Sequence, residues 1–149
     1  MVLGFCQFNR YFFNHKLFKY SKSCLFMDKK RGSRVKTVEK PWGRFKEFVL
    51  NKKCTVKIHD VKPHESLSLQ KHKHRREEWY FLTPGFVQLG NKKRKVKKGE
   101  VIKIRKNQIH RLYSGNKAVR VLEIAYGDFD ENDITRLEDK YGRVKKFKK

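Results

Sequence analysis

The sequence predicts an all-β fold, a sandwich or small barrel of the jelly-roll kind. From Phe45 onward, short segments of alternating or β-rich character follow one another at regular spacing, and turn signals separate them. Many short strands of even spacing are typical of jelly rolls. At 149 residues the chain is long enough for one modest domain with a single core and an appendage.

The predicted strands begin with CTVKIHDV, in which Cys54, Val56 and Ile58 share one face because side chains alternate along a strand. A turn around Pro63 follows. The later segments with strand character are LSLQKHKH, EEWYFL, FVQL, KKGEVIKI, IHRLYS and AVRVLEIAYG. Turns that contain glycine lie between most of them, which favours antiparallel neighbours.

Only the end of the chain has helical character. Asp130 can cap the segment DENDITRLEDKYG, whose first turn is acidic. Ile134, Leu137 and Tyr141 fall on one stripe of a helix, and Gly142 is a natural terminator. The sequence therefore predicts a short C-terminal helix near Asp130 to Tyr141.

The two ends of the chain differ from its middle. Residues 1–37 are predicted to be an N-terminal extension and linker, and residues 38–149 the folded domain with a basic C-terminal tail. The first segment is rich in Phe but has neither the unbroken apolar core nor the cleavage site of a signal peptide. We expect translation to start at Met27.

The cysteines indicate the cellular compartment, and the net charge indicates which partners to expect. Cys6, Cys24 and Cys54 show no CxxC spacing, and no run of 18 apolar residues is present, so we expect a cytoplasmic protein without a membrane span.

Lys and Arg total 39 against 15 Asp and Glu, a net charge of +24, which suggests either a polyanionic partner or a solvated lysine-rich surface. No nucleic-acid-binding motif accompanies the charge, so we do not expect nucleic acid. KKRKVKK is interpreted as a solvated strand edge.

One predicted strand carries a pattern typical of a metal site. In LSLQKHKH, Gln70, His72 and His74 point to the same face, and Glu78 has the same parity four residues later. His110 follows a tight-turn sequence in which Asn107 can adopt positive φ. The candidate metal ligands are His72, His74, Glu78 and His110. A His-rich site with an open position favours Zn²⁺, although Mn, Fe, Co or Ni would also fit.

The same histidines could instead be surface residues of a basic strand, because an isolated HxH pattern is weak evidence. The remaining histidines, His15, His59 and His64, fit no ligand geometry and are interpreted as surface residues.

Two segments resemble the two cupin motifs. His72-x-His74-x-x-x-Glu78, followed by Gly85, is similar to the first motif, and RKNQIHRLYS is similar to the second. The segments VEKPWGRF, LSLQKHKHRREEW, HRL and GDFDENDITRLEDKYGR together resemble type II mannose-6-phosphate isomerases over about Val38 to Arg143. In that family the cupin often follows a mannose-1-phosphate guanylyltransferase domain.

The resemblance implies a cupin jelly-roll barrel and assigns roles to residues. Strand parity and the general cupin pattern favour Glu78 as the metal ligand, whereas the family alignment makes Glu77 the expected acid. We assign Glu78 to the metal and Glu77, with Arg75, to catalysis. The residues expected to bind substrate are Gln70, Lys40, Arg111, Arg136 and Arg143. Arginine suits a phosphate because its planar fork can bind two oxygens.

The implied function is a metal-dependent isomerase that interconverts mannose 6-phosphate and fructose 6-phosphate in sugar-nucleotide and polysaccharide biosynthesis. The alternative is a non-catalytic cupin that binds a sugar phosphate and acts with a separate mannose-1-phosphate guanylyltransferase. A homodimer is expected in either case.

Overall fold

The computed structural model describes residues 35–144, in which the chain forms eleven strands and a single 3-10 turn at Glu131–Asp133. The strands, numbered in chain order, are β1 Lys36–Lys40, β2 Gly43–Glu47, β3 Cys54–Val61, β4 Leu69–His72, β5 Arg76–Phe81, β6 Gly85–Leu89, β7 Lys92–Val96, β8 Val101–Ile104, β9 His110–Tyr113, β10 Val119–Tyr126 and β11 Ile134–Glu138. The predicted extension at residues 1–37 and the start at Met27 lie almost entirely outside the described residues.

The strands form one hairpin and two larger sheets. β1 and β2 pair with each other as a separate two-stranded sheet. The larger sheets have the strand orders β3-β10-β5-β8 and β11-β4-β9-β6-β7, and every pairing in them is antiparallel. The predicted cupin jelly roll is thereby confirmed, except for its helix.

A single hydrophobic cluster joins the two larger sheets. Its buried members come from both of them: Val61, Trp79, Phe81, Val87, Val96, Ile102, Ile104, Leu112, Val119 and Val121. Burying one such large side chain contributes about 1.5–3 kcal/mol. The cluster therefore fixes the spacing of the two inner faces, from which the polar side chains described below also project.

The predicted strands are confirmed in order, with shorter ends. β3 coincides with CTVKIHDV, and its predicted face of Cys54, Val56 and Ile58 is the one directed away from the core. Val56 and Ile58 are 55% and 53% exposed, because they project from the outward face of the sheet. β7, within KKRKVKK, is one of the two outer strands of the five-stranded sheet, as expected for a charged edge.

The predicted C-terminal helix is wrong. Asp130 does act as a cap, since its side chain accepts the Asn132 N–H, but only the 3-10 turn follows. The chain then enters β11, which pairs antiparallel with β4. A helix of about a dozen residues is marginal in water, whereas β4 offers an open row of backbone hydrogen-bonding groups that β11 satisfies.

Two further expectations concern the backbone and the membrane. Asn107 adopts a φ of 60°, which confirms its glycine-like turn. No helix in residues 35–144 is long and apolar enough to cross a membrane.

Gly85 provides a test of the core geometry. A Cβ at this position would collide with the side chain of Val119 and lie 3.1 Å from Cε1 of Phe81, and both side chains are buried. Overpacking of this kind costs about 1–3 kcal/mol, so Gly85→Ala should lower the melting temperature by roughly 5–15 °C. The control is Gly90→Asn, because Gly90 has a φ of +56° and no atom within 4 Å. Equal melting temperatures for the two variants would contradict the packing described here.

Candidate metal and substrate site

Three buried polar side chains meet between the two larger sheets. The ligand atoms of His72, Glu77 and His110 lie within 4.8 Å of one another. Nε2 of His72 is 3.1 Å from Oε1 of Glu77, and Nε2 of His110 is 3.7 Å from Oε2 of Glu77. Each side chain is at most 1% exposed. We call these three residues the His–Glu cluster.

The fold brings the cluster together from three strands. His72 ends β4 and His110 begins β9 in one sheet, while Glu77 projects from β5 in the other. The Asn107 N–H donates to the carbonyl of His72 at 2.6 Å, which ties the preceding loop to β4. Nδ1 of His110 donates to the carbonyl of Gln108 at 2.8 Å, so its lone pair is on Nε2, facing the cluster.

Burial sets the charge states in the cluster. Burial lowers the pKa of His72 to about 3, with the Arg75 charge adding to the effect, and lowers that of His110 to about 4. Burial, and then the charge of Glu123, raises the pKa of Glu77 to about 7, while Arg75 opposes the rise. Both imidazoles are therefore neutral near pH 7, which is the form that binds metals.

The cluster fits a divalent metal ion. Two neutral imidazoles and a carboxylate are a donor set found in catalytic zinc sites. Within residues 35–144, Nε2 of His110, which carries the lone pair, is buried without a hydrogen-bond partner. Such an orphaned buried nitrogen calls for a ligand, since an unpaired polar group in the interior is costly.

Arg75 contacts two of the three residues of the His–Glu cluster. Its Nε donates to Oε1 of Glu77 at 2.9 Å, and its Nη2 lies 3.3 Å from Nε2 of His72. Arginine can only donate, so the lone pair of His72 Nε2 points into the cluster. A metal ion at this place would compete with the guanidinium for the same two atoms.

Two of the four predicted ligands lie elsewhere, which corrects the expected set. β4 ends at His72, so the alternation fails and His74 lies exposed in a bend, where its N–H donates to Asp133 at 3.1 Å. Glu78 points to the other face of β5, toward Arg76 and Tyr126. Glu77 takes the place of Glu78, because residues 77, 79 and 81 are the inward positions of β5. This placement agrees with the acid expected from the family alignment.

A cavity of about 190 Å³ borders the cluster through Arg75 and Glu77. Three of the predicted substrate-binding residues, Gln70, Arg136 and Arg143, also line it. Gln70 and Arg136 face each other across β4 and β11, and Nε of Arg136 is buried without a partner within the described residues.

The other two predicted substrate-binding residues lie outside this cavity. Lys40 belongs to the separate hairpin, where it is exposed. Arg111 projects from the opposite face of β9 and pairs with Glu138 at 2.8 Å. The expectation that both reach the substrate together with the other three is corrected, since strand parity directs Arg111 away from the core.

The sequence interpretation missed Glu123 and His59. Glu123 is a buried carboxylate on β10, and Nε2 of His59 lies 2.8 Å from its Oε2. Burial favours a raised pKa for Glu123, but the His59 hydrogen bond and nearby positive charges hold it below its usual value. His59 lines the cavity with its side chain 24% exposed, so its interpretation as a surface residue is wrong. The sequence feature that could have revealed this pair is Glu123, a charged residue at an inward position of the strand segment VRVLEIAYG.

The other two histidines interpreted as surface residues are His64 and His15. His64 is exposed, as expected. His15 lies outside the described residues.

Comparisons with known proteins show the family of the chain. The family model described as "Mannose-6-phosphate isomerase C-terminal" matches residues 27–139. The chain belongs to this family. The mannose-1-phosphate guanylyltransferase ManC of Salmonella typhimurium is 33% identical over 110 residues, which cover 72% of this chain and 23% of the relative. The alginate biosynthesis protein AlgA of Pseudomonas aeruginosa is 34% identical, with coverages of 72% and 23%.

The chain thus spans about a quarter of the length of these relatives. Among solved structures, the capsular polysaccharide assembling protein CapF of Staphylococcus aureus aligns with a TM-score of 0.53 and 20% identity, covering 70% of this chain and 33% of CapF. At that identity the likeness concerns the fold alone.

Metal binding tests the corrected ligand set. His110→Ala should weaken Zn²⁺ binding by more than the ~10- to 100-fold that loss of a supporting partner costs, because it removes a buried ligand. His74→Ala is the matched control and should keep the affinity of the unaltered protein. Calorimetric titration with Zn²⁺ and metal content after dialysis measure both variants. A loss in His74→Ala as large as that in His110→Ala would restore the set predicted from the sequence, which contains both histidines.

Proposed function

We propose that this chain is a metal-dependent aldose–ketose isomerase that interconverts mannose 6-phosphate and fructose 6-phosphate. The observation that carries the proposal is the buried His–Glu cluster, which borders a cavity whose lining includes Arg136 and Arg143. A sugar phosphate has the matching polarity, with hydroxyl and carbonyl oxygens at one end and a dianion at the other. The proposed setting is sugar-nucleotide and polysaccharide biosynthesis.

The reaction moves a proton between C1 and C2 through an enediol. A divalent ion held by His72, Glu77 and His110, with Zn²⁺ as our first choice, would supply Lewis acidity toward the sugar oxygens. The protein itself must orient the sugar, exclude water and carry the proton. The cluster is suited to exclude water, since its three side chains are almost fully buried.

Arg75 is suited to orient the reacting end. It is buried, donates to the carbonyl of Asp130 at 2.8 Å as well as to Glu77, and lies 4.5 Å from the ring centroid of Phe129. These contacts fix a positive charge beside the cluster, where it would stabilise negative charge that develops on the sugar. Gln70 accepts a hydrogen bond from Ser68 through Oε1 at 2.7 Å, which leaves its amide N–H groups for a sugar hydroxyl.

The phosphate is proposed to bind at the wall formed by Arg136 and Arg143. Arg136 offers a buried Nε that has no partner within residues 35–144. Arg143 is held by Asp139 through two hydrogen bonds, at 3.0 and 2.7 Å, so its position is fixed. Hydrogen bonds from arginine to phosphate are charge-assisted and can be bidentate, which gives both affinity and orientation.

Isomerase activity is the direct test. The purified full chain loaded with Zn²⁺ should form fructose 6-phosphate from mannose 6-phosphate, and activity should fall on chelation and return with metal. Mn²⁺, Fe²⁺, Co²⁺ and Ni²⁺ are tested in the same assay. Protein that binds both metal and mannose 6-phosphate in calorimetry but never turns over would support the alternative, a sugar-phosphate-binding cupin that acts with a separate mannose-1-phosphate guanylyltransferase.

Arg136 provides a test of the phosphate wall. Arg136→Gln should raise the KM for mannose 6-phosphate by about 10- to 150-fold, the equivalent of one hydrogen bond to a charged group, with a smaller change in kcat. Arg111→Gln is the matched control, because Arg111 also has a buried unpartnered Nε in the described part of the chain but lies outside the cavity. Equal effects of the two substitutions would contradict a phosphate site at this wall.

The remaining expectations stay predictions. We propose a cytoplasmic homodimer, with a nucleotidyltransferase as a separate partner. Size-exclusion chromatography with light scattering tests the dimer.

A further inference from the structure

The position of Glu77 leaves the proton-transfer step without a group to perform it. The sequence assigned that role to Glu77, but its two oxygens face His72 and His110 and also accept from Arg75 and Trp79. A carboxylate engaged in this way is suited to hold a ligand and poorly suited to reach a sugar carbon. Another group at the cavity must therefore carry the proton.

A second polar group lies next to the cluster on the inner face of the four-stranded sheet. Glu123 on β10 is opposite Trp79 on β5, and His59 on β3 is opposite the neighbouring inward position, Val121. Nε1 of Trp79 donates to Oε2 of both Glu77 and Glu123, at 3.2 Å each. One indole N–H thus connects the His–Glu cluster to the His59–Glu123 pair.

Glu123 holds His59 in one orientation. The carboxylate can only accept, so the hydrogen bond of 2.8 Å places a proton on Nε2 of His59. Lys57 is opposite Glu123 in the pairing of β3 with β10, yet its Nζ lies 3.5 Å from Glu131 and 3.6 Å from the ring centroid of Phe129. Lys57 is thereby engaged elsewhere, and His59 is the hydrogen-bonding partner of Glu123 on β3.

The other nitrogen of His59 is available to the cavity. Within residues 35–144 the ring makes one hydrogen bond, through Nε2, and its side chain is a quarter exposed where it lines the cavity. An imidazole–carboxylate pair is at best a weak source of stability in a protein interior, so stability alone does not account for this one.

We propose that His59, oriented by Glu123, is the general base and acid of the isomerisation; this inference rests on the function proposed above. Nδ1 of His59 takes the proton from C2 of mannose 6-phosphate, and the electrons of that C–H bond form the C1=C2 bond of the enediol while O1 gains a proton. O2 then loses its proton and becomes the ketose carbonyl oxygen, and His59, whose Nδ1 proton exchanges with solvent during the lifetime of the enediol, delivers a proton to C1. The proton gained at O1 equals the proton lost at O2, so no further reactant is needed.

The test separates proton transfer from binding. His59→Gln keeps an N–H donor for Glu123 but cannot exchange protons, so kcat should fall by about 10²- to 10⁴-fold, with KM and Zn²⁺ content close to those of the unaltered protein. In D₂O, incorporation of deuterium at C2 of recovered mannose 6-phosphate and at C1 of fructose 6-phosphate should fall by the same factor. The control is His64→Asn, since His64 is exposed at a φ of 59°, which Asn tolerates.

A second variant guards against a folding defect. His59→Ala opens the cavity wall, and added imidazole should restore part of its activity and of its deuterium exchange, which a merely structural role would not allow. Activity and exchange of His59→Gln within about threefold of the unaltered protein would overturn the inference and leave the isomerase proposal standing. Absence of turnover and exchange in the metal-loaded, unaltered protein would overturn both.

Discussion

The buried carboxylate of Glu77 is the group on which the rest of the site depends. Moving an ionised carboxylate into a protein interior costs several kcal/mol unless hydrogen bonds and opposite charge compensate. Here Arg75 and Trp79 donate to its two oxygens, and the imidazoles of His72 and His110 approach from the facing sheet. These requirements explain why so many polar side chains project into a core that is otherwise built from Val, Ile, Leu, Phe and Trp.

The compensation reaches beyond the core to the C-terminal segment. Arg75 donates to the carbonyl of Asp130, and the side chain of Asp133 accepts the backbone N–H groups of Lys73 and His74. The bend after β4 is thus tied to the 3-10 turn that precedes β11. The same turn then sets the start of β11, whose residue Arg136 lies across from Gln70. Arg75 and Arg136, which both line the cavity, are therefore positioned by one continuous set of contacts.

Much of the fold and half of the metal set followed from local pattern, and the failures have local causes. Alternation located β3 and the other strands, and the late turn located His110. His74 was predicted to share the face of His72, but β4 ends at His72. Side chains alternate between two faces only within a strand, so the alternation no longer applies in the bend that follows. The C-terminal segment satisfied a helical period, and its strand conformation was decided by an open strand elsewhere in the chain. The pairing of His59 with Glu123 depends on strand register across 64 residues, which no short pattern contains.

The strand order has a consequence for how rigid each end of the cavity is. β4, β5 and β9, which carry the His–Glu cluster, each have a hydrogen-bonded neighbour on both sides, whereas β11 is an outer strand with a register shift between Arg136 and Glu138. Edge strands open at lower free energy than central ones, and their amide hydrogens exchange sooner with solvent. The His–Glu cluster therefore lies on strands that open at high free energy, whereas Arg136 lies on an edge strand, whose amide hydrogens should exchange with solvent before those of β4, β5 and β9.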